Sequence, residues 1–383
     1  MVYYWSLGGA YGYCSFLYVL IRSSIDTLGY VMQSPPELSN FVYPSGVFQL
    51  LILPRFLGDG LLSFTAIEGL LQHLPSSTQL VVVLPKVLHP WVRQLFPTSQ
   101  LIVWDAHVLK GRAWLTYLKS IAKKCEVAYS FRRSVSEVFW LWRAGIPKRV
   151  GFQWQRYPWG YHATGLYLSK SVPYHPHHRH RHELDYWLTL LQQGCPSLQS
   201  PLSFEPLRLR FLGLQPFLTS EHFERWGFSK AMAGDIYKPL IVIHWASASK
   251  AKARDPMELL PHLCQRMQAH PSRIVLSGSP QDEVLYQPLL EALRQKGYTE
   301  DEVTCLAGKT TLADMPLLLM LADELWTLDS ATVHLAALLG KPAMVRVLYA
   351  GEVAGSYPER WGILPTSGLW FKSGFTVEEM LAL

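Results

Sequence analysis

The sequence lacks several features by which large classes of protein are recognised. Its five cysteines are far apart, form no Cys-x-x-Cys pair and have no zinc-ligand spacing, so neither a disulfide framework nor a zinc ribbon is indicated. Only 17% of the 383 residues are charged, and the basic ones are scattered, which argues against a nucleic-acid-binding surface. The sequence shows no short repeat and no long low-complexity tract, which argues against a solenoid or a disordered chain.

The chain is long and rich in apolar residues. Hydrophobic residues make up 49% of it, and 383 residues exceed the size of one ordinary core, so we expect two domains. The net charge of +6 is modest and suits anionic small molecules or an anionic membrane surface. The cysteine pattern favours a reducing compartment.

The first 21 residues carry no charged side chain, and Arg22 follows them. About 20 apolar residues span a bilayer, but three glycines dilute this segment, and it has neither the basic start nor the cleavage site of a signal peptide. We predict an aromatic N-terminal extension over residues 1–46. Membrane contact and packing on the protein surface are both open for it.

Beyond residue 46, runs rich in Val, Ile and Leu alternate with helical patterns, which predicts parallel sheets with right-handed crossovers. In the first half, strands are predicted at 47–53, 80–84, 101–103 and 126–129, and helices at 61–74, 87–95, 112–124 and 134–144. In the second half, strands are predicted at 240–243, 274–276, 303–306, 324–328 and 343–347, and helices at 256–269, 281–295, 311–322 and 330–339. Between them, 153–215 breaks the rhythm, with one predicted helix at 183–193 and a linker at 201–216. The pattern predicts an α/β protein of two doubly wound halves.

The stretch LILPRFLGDGLLSFTAIEGLL, residues 51–71, places Asp59 between Gly58 and Gly60, where a strand hands over to a helix. In open parallel sheets, ligands collect at the carboxyl ends of the strands. Asp59 is explained by an N-cap role alone, but the flanking glycines also permit a ligand to approach the backbone closely. A carboxylate accessible there can accept a proton from a substrate hydroxyl.

Two stretches in the second half carry groups suited to a diphosphate. In LWTLDSATVHLAALLGKPAMV, residues 325–345, Asp329 ends a strand and Ser330 opens a helix that carries His334 one turn later. The free N–H groups of such a helix start bind phosphate. In LIVIHWASASKAKARDP, residues 240–256, a strand is followed by small hydroxyl residues and Lys252, which also suit an anion. A plain cap, a half-buried histidine and a solvated basic loop are the structural alternatives.

A fourth stretch, AYSFRRSVSEVFWLWRAGIPKRVGF, residues 128–152, places two arginines, Arg132 and Arg133, just past a strand on the same rim as Asp59. The next helix carries Phe139, Trp140 and Trp142, which we interpret as core residues rather than as a sugar-binding platform.

The tract YHPHHRHRH, residues 174–182, holds five histidines. Such a tract can bind a transition metal. Because it lacks carboxylates and thiolates at ligand spacing, we interpret it as a solvated loop between the two domains.

Together the four stretches resemble one family, glycosyltransferase family 9, the bacterial ADP-heptose:lipopolysaccharide heptosyltransferases. The resemblance runs from about Phe48 to Val347 and rests on GDGLLSFTA, SFRRS, GIPKRVGF, HELDYWLTLL, LAGKTTLADMPLLLMLAD and DSATVHLAALLGKP, in the family's order. It implies a GT-B fold, with two Rossmann-like doubly wound domains facing a central cleft. We expect an acceptor-binding domain at 47–205 and a nucleotide-sugar-binding domain at 206–383, whose last helix returns to the N-terminal domain.

The resemblance implies an inverting glycosyltransferase that moves a heptose or related sugar from an ADP-sugar to a lipopolysaccharide inner-core or similar envelope glycan. Asp59 is then the catalytic base. The implied acceptor-binding residues are Gly58, Gly60, Arg132 and Arg133. The implied donor-binding residues are Ser247, Ser249, Lys252, Asp329, Ser330, Ala331, Thr332 and His334, with Asp329 holding sugar hydroxyls and His334 orienting the loop or the diphosphate.

The same resemblance implies the molecules with which the protein works. The donor is expected to be ADP-heptose, the acceptor a lipid-linked anionic glycan, and no metal or other cofactor is required. We expect no nucleic-acid partner, a monomer, and a cytoplasmic location with peripheral contact at the cytoplasmic face of the inner membrane.

The chain departs from the family's motifs at the donor side. The family's D-S-G-P-M-H reads D-S-A-T-V-H here, with Ala331 in place of glycine. Trp245 and Ala246 stand where a histidine–proline–glycine turn is usual, and the lysine motif at 252–256 is one residue longer. These departures keep open a non-catalytic GT-B protein that binds nucleotide sugar or envelope glycan. A nucleotide-sugar epimerase of the same fold is a third interpretation, for which the sequence offers no convincing set of carboxylates.

Overall fold

The computed structural model describes residues 43–106, 111–132, 134–157, 160–161, 163–174, 181–213, 219–228, 238–247, 249–340, 344–351, 356–363 and 370–381. The described residues divide into two compact units. The first contains the chain up to Leu53, Leu74–Val87 and Thr98–Tyr174. The second contains Pro54–His73, Leu88–Pro97 and the chain from residue 175 onward.

The first unit is built on a sheet of mostly parallel strands. The parallel order is β3–β2–β1–β4–β5–β7, and the short β6 pairs antiparallel with β5. The strands are β1 (Phe48–Ile52), β2 (Gln79–Leu84), β3 (Leu101–Asp105), β4 (Cys125–Ser130), β5 (Arg149–Tyr157), β6 (Gly160–Tyr161) and β7 (Lys170–Tyr174). The order reverses between β1 and β4, and such a switch point is where open α/β sheets bind ligands.

The second unit repeats this arrangement. Its strands are all parallel, in the order β10–β9–β8–β11–β12–β13. They are β8 (Leu240–His244), β9 (Arg273–Leu276), β10 (Val303–Cys305), β11 (Glu324–Leu328), β12 (Met344–Leu348) and β13 (Trp370–Gly374). Here the order reverses between β8 and β11, so the carboxyl ends of these two strands form the switch point.

Several of the helices that connect the strands begin or end at a capping residue. They are α1 (Leu57–His73), α2 (His89–Leu95), α3 (Gly111–Ile121), α4 (Val135–Arg143), α5 (Glu183–Gln192), α6 (Glu205–Gly213), α7 (Ser220–Arg225), α8 (Leu260–Ala269), α9 (Pro280–Gln295), α10 (Asp314–Leu321), α11 (Ala331–Leu339), α12 (Pro358–Trp361) and α13 (Val377–Leu381). Ser279 and Asp282 form a capping box at the start of α9. Gly340 ends α11 with a φ of 68°, a left-handed conformation that glycine adopts without strain.

Each unit has its own apolar core. In the first, Phe48, Leu50 and Val81 from the sheet pack with Trp114 and Tyr117 of α3. In the second, Ile241, Ile274 and Trp326 pack with Leu263 of α8 and Leu289 of α9. The last described helix, α13, adds Val377 and Met380 to this second core and therefore packs within the second unit.

The GT-B class expected from the sequence is confirmed by these two doubly wound sheets, and most predicted elements lie within a few residues of the observed ones. The linker predicted at 201–216 is wrong, because α6 occupies most of it and buries Leu207 and Phe211. Strands β5 and β7 were not predicted. β7 carries Pro173 and is exposed at three of its five positions, so it lacks the apolar run that marks the central strands.

Two expectations fall on other parts of the chain. The N-terminal extension up to residue 42 and residues 175–180 of the histidine tract lie outside the described residues. For His182, the last histidine of that tract, the interpretation as a solvated loop is wrong, because His182 is buried and caps α5. Within the described residues, no helix is both long enough and apolar enough to cross a membrane.

Candidate active site

Asp329 is the centre of a buried polar cluster at the switch point of the second sheet. It follows β11 directly and is 5% exposed. Its Oδ2 atom accepts hydrogen bonds from Lys252 Nζ and from Ser356 Oγ, both at 2.6 Å. The Lys252 side chain keeps 23% of its surface exposed, and its ammonium has three N–H donors. The cluster therefore presents a cation to solvent that a buried carboxylate holds in place.

The start of α11 lies beside this cluster. Ser330 is the N-cap residue, but its side chain makes no capping hydrogen bond. Its hydroxyl instead joins those of Thr327 and Thr332, at 3.2 and 2.8 Å. Because the side-chain cap is missing, the first amide groups of the helix are available to an anion. Ala331 is the first helical residue, so no left-handed backbone is needed where the family usually has glycine.

His334 lies one turn into α11 and is buried, with 5% of its surface exposed. Burial lowers the pKa of His334 to about 4, an effect that nearby Asp329 opposes and that His182 and Lys252 reinforce. The imidazole is therefore neutral at pH 7. It lines a pocket with His182 and Leu62, which favours a packing and orienting role over direct neutralisation of a phosphate.

Helix α1 meets α11 at Gly58. A methyl group at Gly58 would lie 3.2 Å from His334 Cδ2 and 3.4 Å from Ala331 Cα, so glycine is what allows the two helix starts to approach. Gly60 is required for a similar reason, since a methyl group there would collide with the side chain of Leu88. Both glycines thus have a packing function, and their contact with an acceptor stays a prediction.

Asp59 lies between these glycines, half-buried, in the first turn of α1. The predicted helix began at residue 61 with Asp59 as its cap, and this is wrong, because α1 begins at Leu57. The glycines did not break the helix, since packing against α11 and Leu88 offsets their low helix propensity. A first-turn carboxylate still benefits from the positive end of the helix dipole.

The loop after β8 carries the remaining predicted donor groups. The Ser249 N–H donates to Ser247 Oγ at 3.2 Å. His244, at the end of β8, was not predicted. Its Nδ1 lies 3.2 Å from Ser277 Oγ, and burial lowers its pKa to about 4. The sequence signal that could have identified His244 is its position as the last residue of a strand at the switch point.

In the first unit, Arg132 is largely buried at the switch point between β1 and β4. Its Nε donates to the Leu53 carbonyl and its Nη1 to Glu137 Oε1, both at 2.6 Å. These contacts join the ends of the two strands to α4. Arg132 therefore has a structural function, and its contact with an acceptor stays a prediction. Arg133 lies outside the described residues.

The dipeptide His182–Glu183 was also missed as a functional unit. His182 caps α5, since its Nδ1 accepts from the Leu184 N–H at 3.2 Å, and its Nε2 lies 3.1 Å from the Gly362 carbonyl. The ring is therefore the Nε2–H tautomer. Glu183 pairs with Arg360 at 3.1 Å, and both are almost fully buried. The two residues tie α5 to α12 and the residue after it, next to the pocket that His334 lines.

The described residues contain no group of three or more His, Cys, Asp or Glu side chains arranged to hold a metal ion.

Residues 119–350, more than half of the chain, match glycosyltransferase family 9 (heptosyltransferase). The chain belongs to this family. The match includes β4, the Lys252 loop, Asp329 and α11, and family membership makes the protein a glycosyltransferase. No curated protein matches the sequence.

Solved structures from the same family share the fold. E. coli ADP-heptose LPS heptosyltransferase II is 19% identical, with a TM-score of 0.55 over 88% of this chain and 94% of that chain. A family 9 glycosyltransferase from Veillonella parvula is 19% identical, with a TM-score of 0.57 over 88% of both chains. E. coli heptosyltransferase WaaC, solved with ADP, is 17% identical, with a TM-score of 0.55 over 88% of this chain and 96% of that chain.

Proposed function

We propose that this family 9 glycosyltransferase transfers a heptose or related sugar from an ADP-sugar to a lipid-linked anionic glycan of the lipopolysaccharide inner-core type. Family membership supports the reaction class, and the likeness to an ADP-heptose LPS heptosyltransferase and to WaaC with ADP supports the choice of donor and acceptor. The proposal places the protein, as a monomer, in the cytoplasm at the inner membrane. Free thiols at Cys125, Cys195, Cys264 and Cys305 are consistent with a reducing compartment.

The donor side of the proposal rests on the cluster around Asp329. Lys252 and the first amides of α11 would carry the negative charge of the ADP diphosphate. Ser247 and Ser249 would add hydroxyl donors from the loop after β8. Lys252 and Ser356 both donate hydrogen bonds to Oδ2 of Asp329. The other carboxylate oxygen, Oδ1, would accept a hydrogen bond from a hydroxyl of the transferred sugar.

The observation that carries the proposal is the contact at Gly58. Because Gly58 packs on Ala331 and His334, the start of α1 and the start of α11 converge within the second unit. Asp59 is the next residue after Gly58, and Asp329 and Ser330 directly precede Ala331. This proximity supports Asp59 as the base acting next to a bound donor.

The proposed reaction is a direct displacement. The acceptor hydroxyl gives its proton to the Asp59 carboxylate while its oxygen forms a bond to the anomeric carbon. The bond between that carbon and the diphosphate oxygen breaks, and ADP leaves with the electron pair. Attack from the face opposite the leaving group inverts the anomeric configuration. General-base catalysis of this type contributes about 10²–10⁴-fold to the rate.

The test is turnover of ADP-heptose by Asp59→Asn. Asparagine keeps the size and polarity of the side chain but is not a base, so turnover should fall about 10²-fold or more, while calorimetry should show unchanged ADP binding. Glu221→Gln, in the first turn of α7, is the matched control and should retain full activity.

Near-normal turnover by Asp59→Asn would refute the base assignment. Binding of ADP-heptose by the wild type without any turnover, across several glycan acceptors, would favour the non-catalytic alternative.

A further inference from the structure

An exposed aromatic surface lies in the first unit, on residues to which the proposed reaction gives no function. Phe139 and Trp142 come from α4, and Leu166 and Tyr167 come from a short 3₁₀ turn at Ala163–Leu166 and the residue after it. Trp142 is 45% exposed and Leu166 is 68% exposed. We call these four residues the aromatic patch. The interpretation of the α4 aromatics as core is thus confirmed for Trp140, which packs on the core cluster, and wrong for Trp142.

The patch is a built surface. The rings of Phe139, Trp142 and Tyr167 contact one another, with centroids 5.3 to 5.8 Å apart. Arg149 fixes the segments beneath them, because its Nε donates to the Tyr167 carbonyl at 2.6 Å and its Nη1 donates to the carbonyls of Ile146 and Pro147. Trp142 is thus held at the surface by the half-buried rings of Phe139 and Tyr167, and apolar groups exposed together in this way are typical of a binding surface.

The charge around the patch is positive. The segments 134–149 and 163–170 contain four basic residues, Arg143, Lys148, Arg149 and Lys170. Their one acidic residue, Glu137, is buried and paired with Arg132. Arg143, next to Trp142 in sequence, and Lys170, three residues after Tyr167, are both exposed and therefore accessible to an anionic partner.

These properties favour a lipid surface, rather than a second copy of this protein, as the partner of the patch. Trp and Tyr prefer the headgroup region of a bilayer, where their apolar and polar parts are both satisfied. Basic side chains bind anionic headgroups. A symmetric dimer through the patch would place the same cations of two copies against each other, which opposes self-association.

We infer that the aromatic patch docks the protein on an anionic lipid surface. Trp142 and Leu166 enter the headgroup region, and Arg143 and Lys170 contact lipid phosphates. The biological purpose of this docking rests on the proposed function, since a lipid-linked acceptor lies in a membrane. The docking itself requires neither donor nor acceptor.

The test is flotation of the full chain with vesicles of phosphatidylcholine containing 30% phosphatidylglycerol, compared with vesicles of phosphatidylcholine alone. We expect binding to the anionic vesicles that weakens as salt is raised, because salt screens the cations. Trp142→Ala and Leu166→Ser should each weaken binding several-fold, and Arg143→Glu should weaken it about fivefold or more, the effect of one basic residue at an anionic surface.

Matched controls come from α9 of the second unit and from its C-cap residue. Leu285 is 52% exposed and Lys296 is also exposed, so Leu285→Ser and Lys296→Glu remove similar groups elsewhere and should leave binding unchanged. Calorimetry with ADP on the same variants separates this inference from the proposed function. Patch variants that lose vesicle binding but keep ADP binding support the patch. A wild type that binds anionic vesicles but not ADP counts against the proposed function alone.

Three results would overturn the inference. The first is that the wild type fails to bind anionic vesicles. The second is that the patch variants bind these vesicles as well as the wild type does, which would assign binding to another part of the chain. In the third, sedimentation shows a dimer that Trp142→Ala dissociates, which would make the patch a contact between copies.

Discussion

At the scale of single residues, Ser356 is a buried hydroxyl with one evident task, to hold Asp329. It is 0% exposed and donates to Asp329 Oδ2 at 2.6 Å, while its oxygen accepts from the Ala350 N–H at 3.2 Å. Lys252 reaches the same carboxylate oxygen from solvent. Removal of Ser356 therefore leaves the cation in place but releases the carboxylate on its buried side.

We predict that Ser356→Ala weakens ADP-heptose binding more than ADP binding, because the proposal assigns Asp329 to the sugar. The loss of one hydrogen bond to a charged group corresponds to about 1.5–3 kcal/mol, or about 10- to 150-fold in affinity. Calorimetry with both ligands measures the difference. The control is Ser272→Ala, which should change neither affinity. Ser272 is also a buried serine, but its hydroxyl donates to the His270 carbonyl. Equal losses for ADP and ADP-heptose would show that Asp329 does not act on the sugar.

Arg132 gives the second prediction for a single side chain. Both partners of the Arg132–Glu137 pair are buried, with side-chain exposures of 6% and 5%, and removal of one partner from a buried pair costs about 3–5 kcal/mol. Arg132→Ala should therefore lower the melting temperature strongly. The double variant Arg132→Met with Glu137→Leu should recover much of this loss, since it leaves no buried charge unpaired. An Arg132→Ala protein of wild-type stability that uses its acceptor poorly would instead support an acceptor-binding function.

At the scale of elements, the sequence was most informative where a helix or strand is continuous and apolar. The central strands β1, β2, β8 and β11 could be predicted because they are buried at nearly every position and consist mostly of apolar residues. The start of α1 could not, since its two glycines are required by neighbours distant in sequence, Ala331 and Leu88. Contacts of this kind are invisible to local propensity.

The candidate site divides in the same way. Asp329 and Ser330 could be predicted from their places directly after β11, and Lys252 from the loop that follows β8, because open sheets collect their ligands at the carboxyl ends of strands. Ser356 and the pair Glu183–Arg360 could not, because their functions depend on partners 27 and 177 residues away. The position of Arg132 at the carboxyl end of a strand in the first sheet could be predicted. Its burial could not be predicted from that position.

The start of α11 permits a test of the substitution that separates this chain from its family. Because Ala331 is already helical, Ala331→Gly should change donor affinity little and cost at most about 1 kcal/mol in stability. Gly58→Ala adds a methyl group across the same contact, 3.4 Å from Ala331 Cα, and should lower turnover by roughly tenfold through displacement of Asp59. Titration of ADP-heptose and turnover assays on both variants measure these effects. Tighter binding by Ala331→Gly would mean that the alanine obstructs the donor.

At the scale of the whole molecule, the two units have the same strand order but differ in their polar interiors. The second unit holds three buried or half-buried histidines whose pKa burial lowers, His182, His244 and His334. All three are neutral at pH 7, and each serves a structural contact. His182 caps α5, His244 lies against Ser277, and His334 packs at Gly58. Protonation of these rings therefore lowers the stability of the second unit.

These buried neutral histidines predict that the free energy of unfolding falls as the pH is lowered. The unfolded chain binds a proton at each histidine near pH 6.5, whereas the folded chain resists protonation of His334 and His244 until about pH 4. The stabilisation is fully present above pH 6.5 and is lost as the pH falls towards 4, by up to about 1.4 kcal/mol per pH unit for each histidine. Urea denaturation at pH 7.5 and pH 5 should show this decline, and His334→Gln should make it shallower. His270→Gln, at an exposed histidine, is the control and should leave the slope unchanged. If His270→Gln flattened the profile as much as His334→Gln, buried neutral histidines would not be its cause.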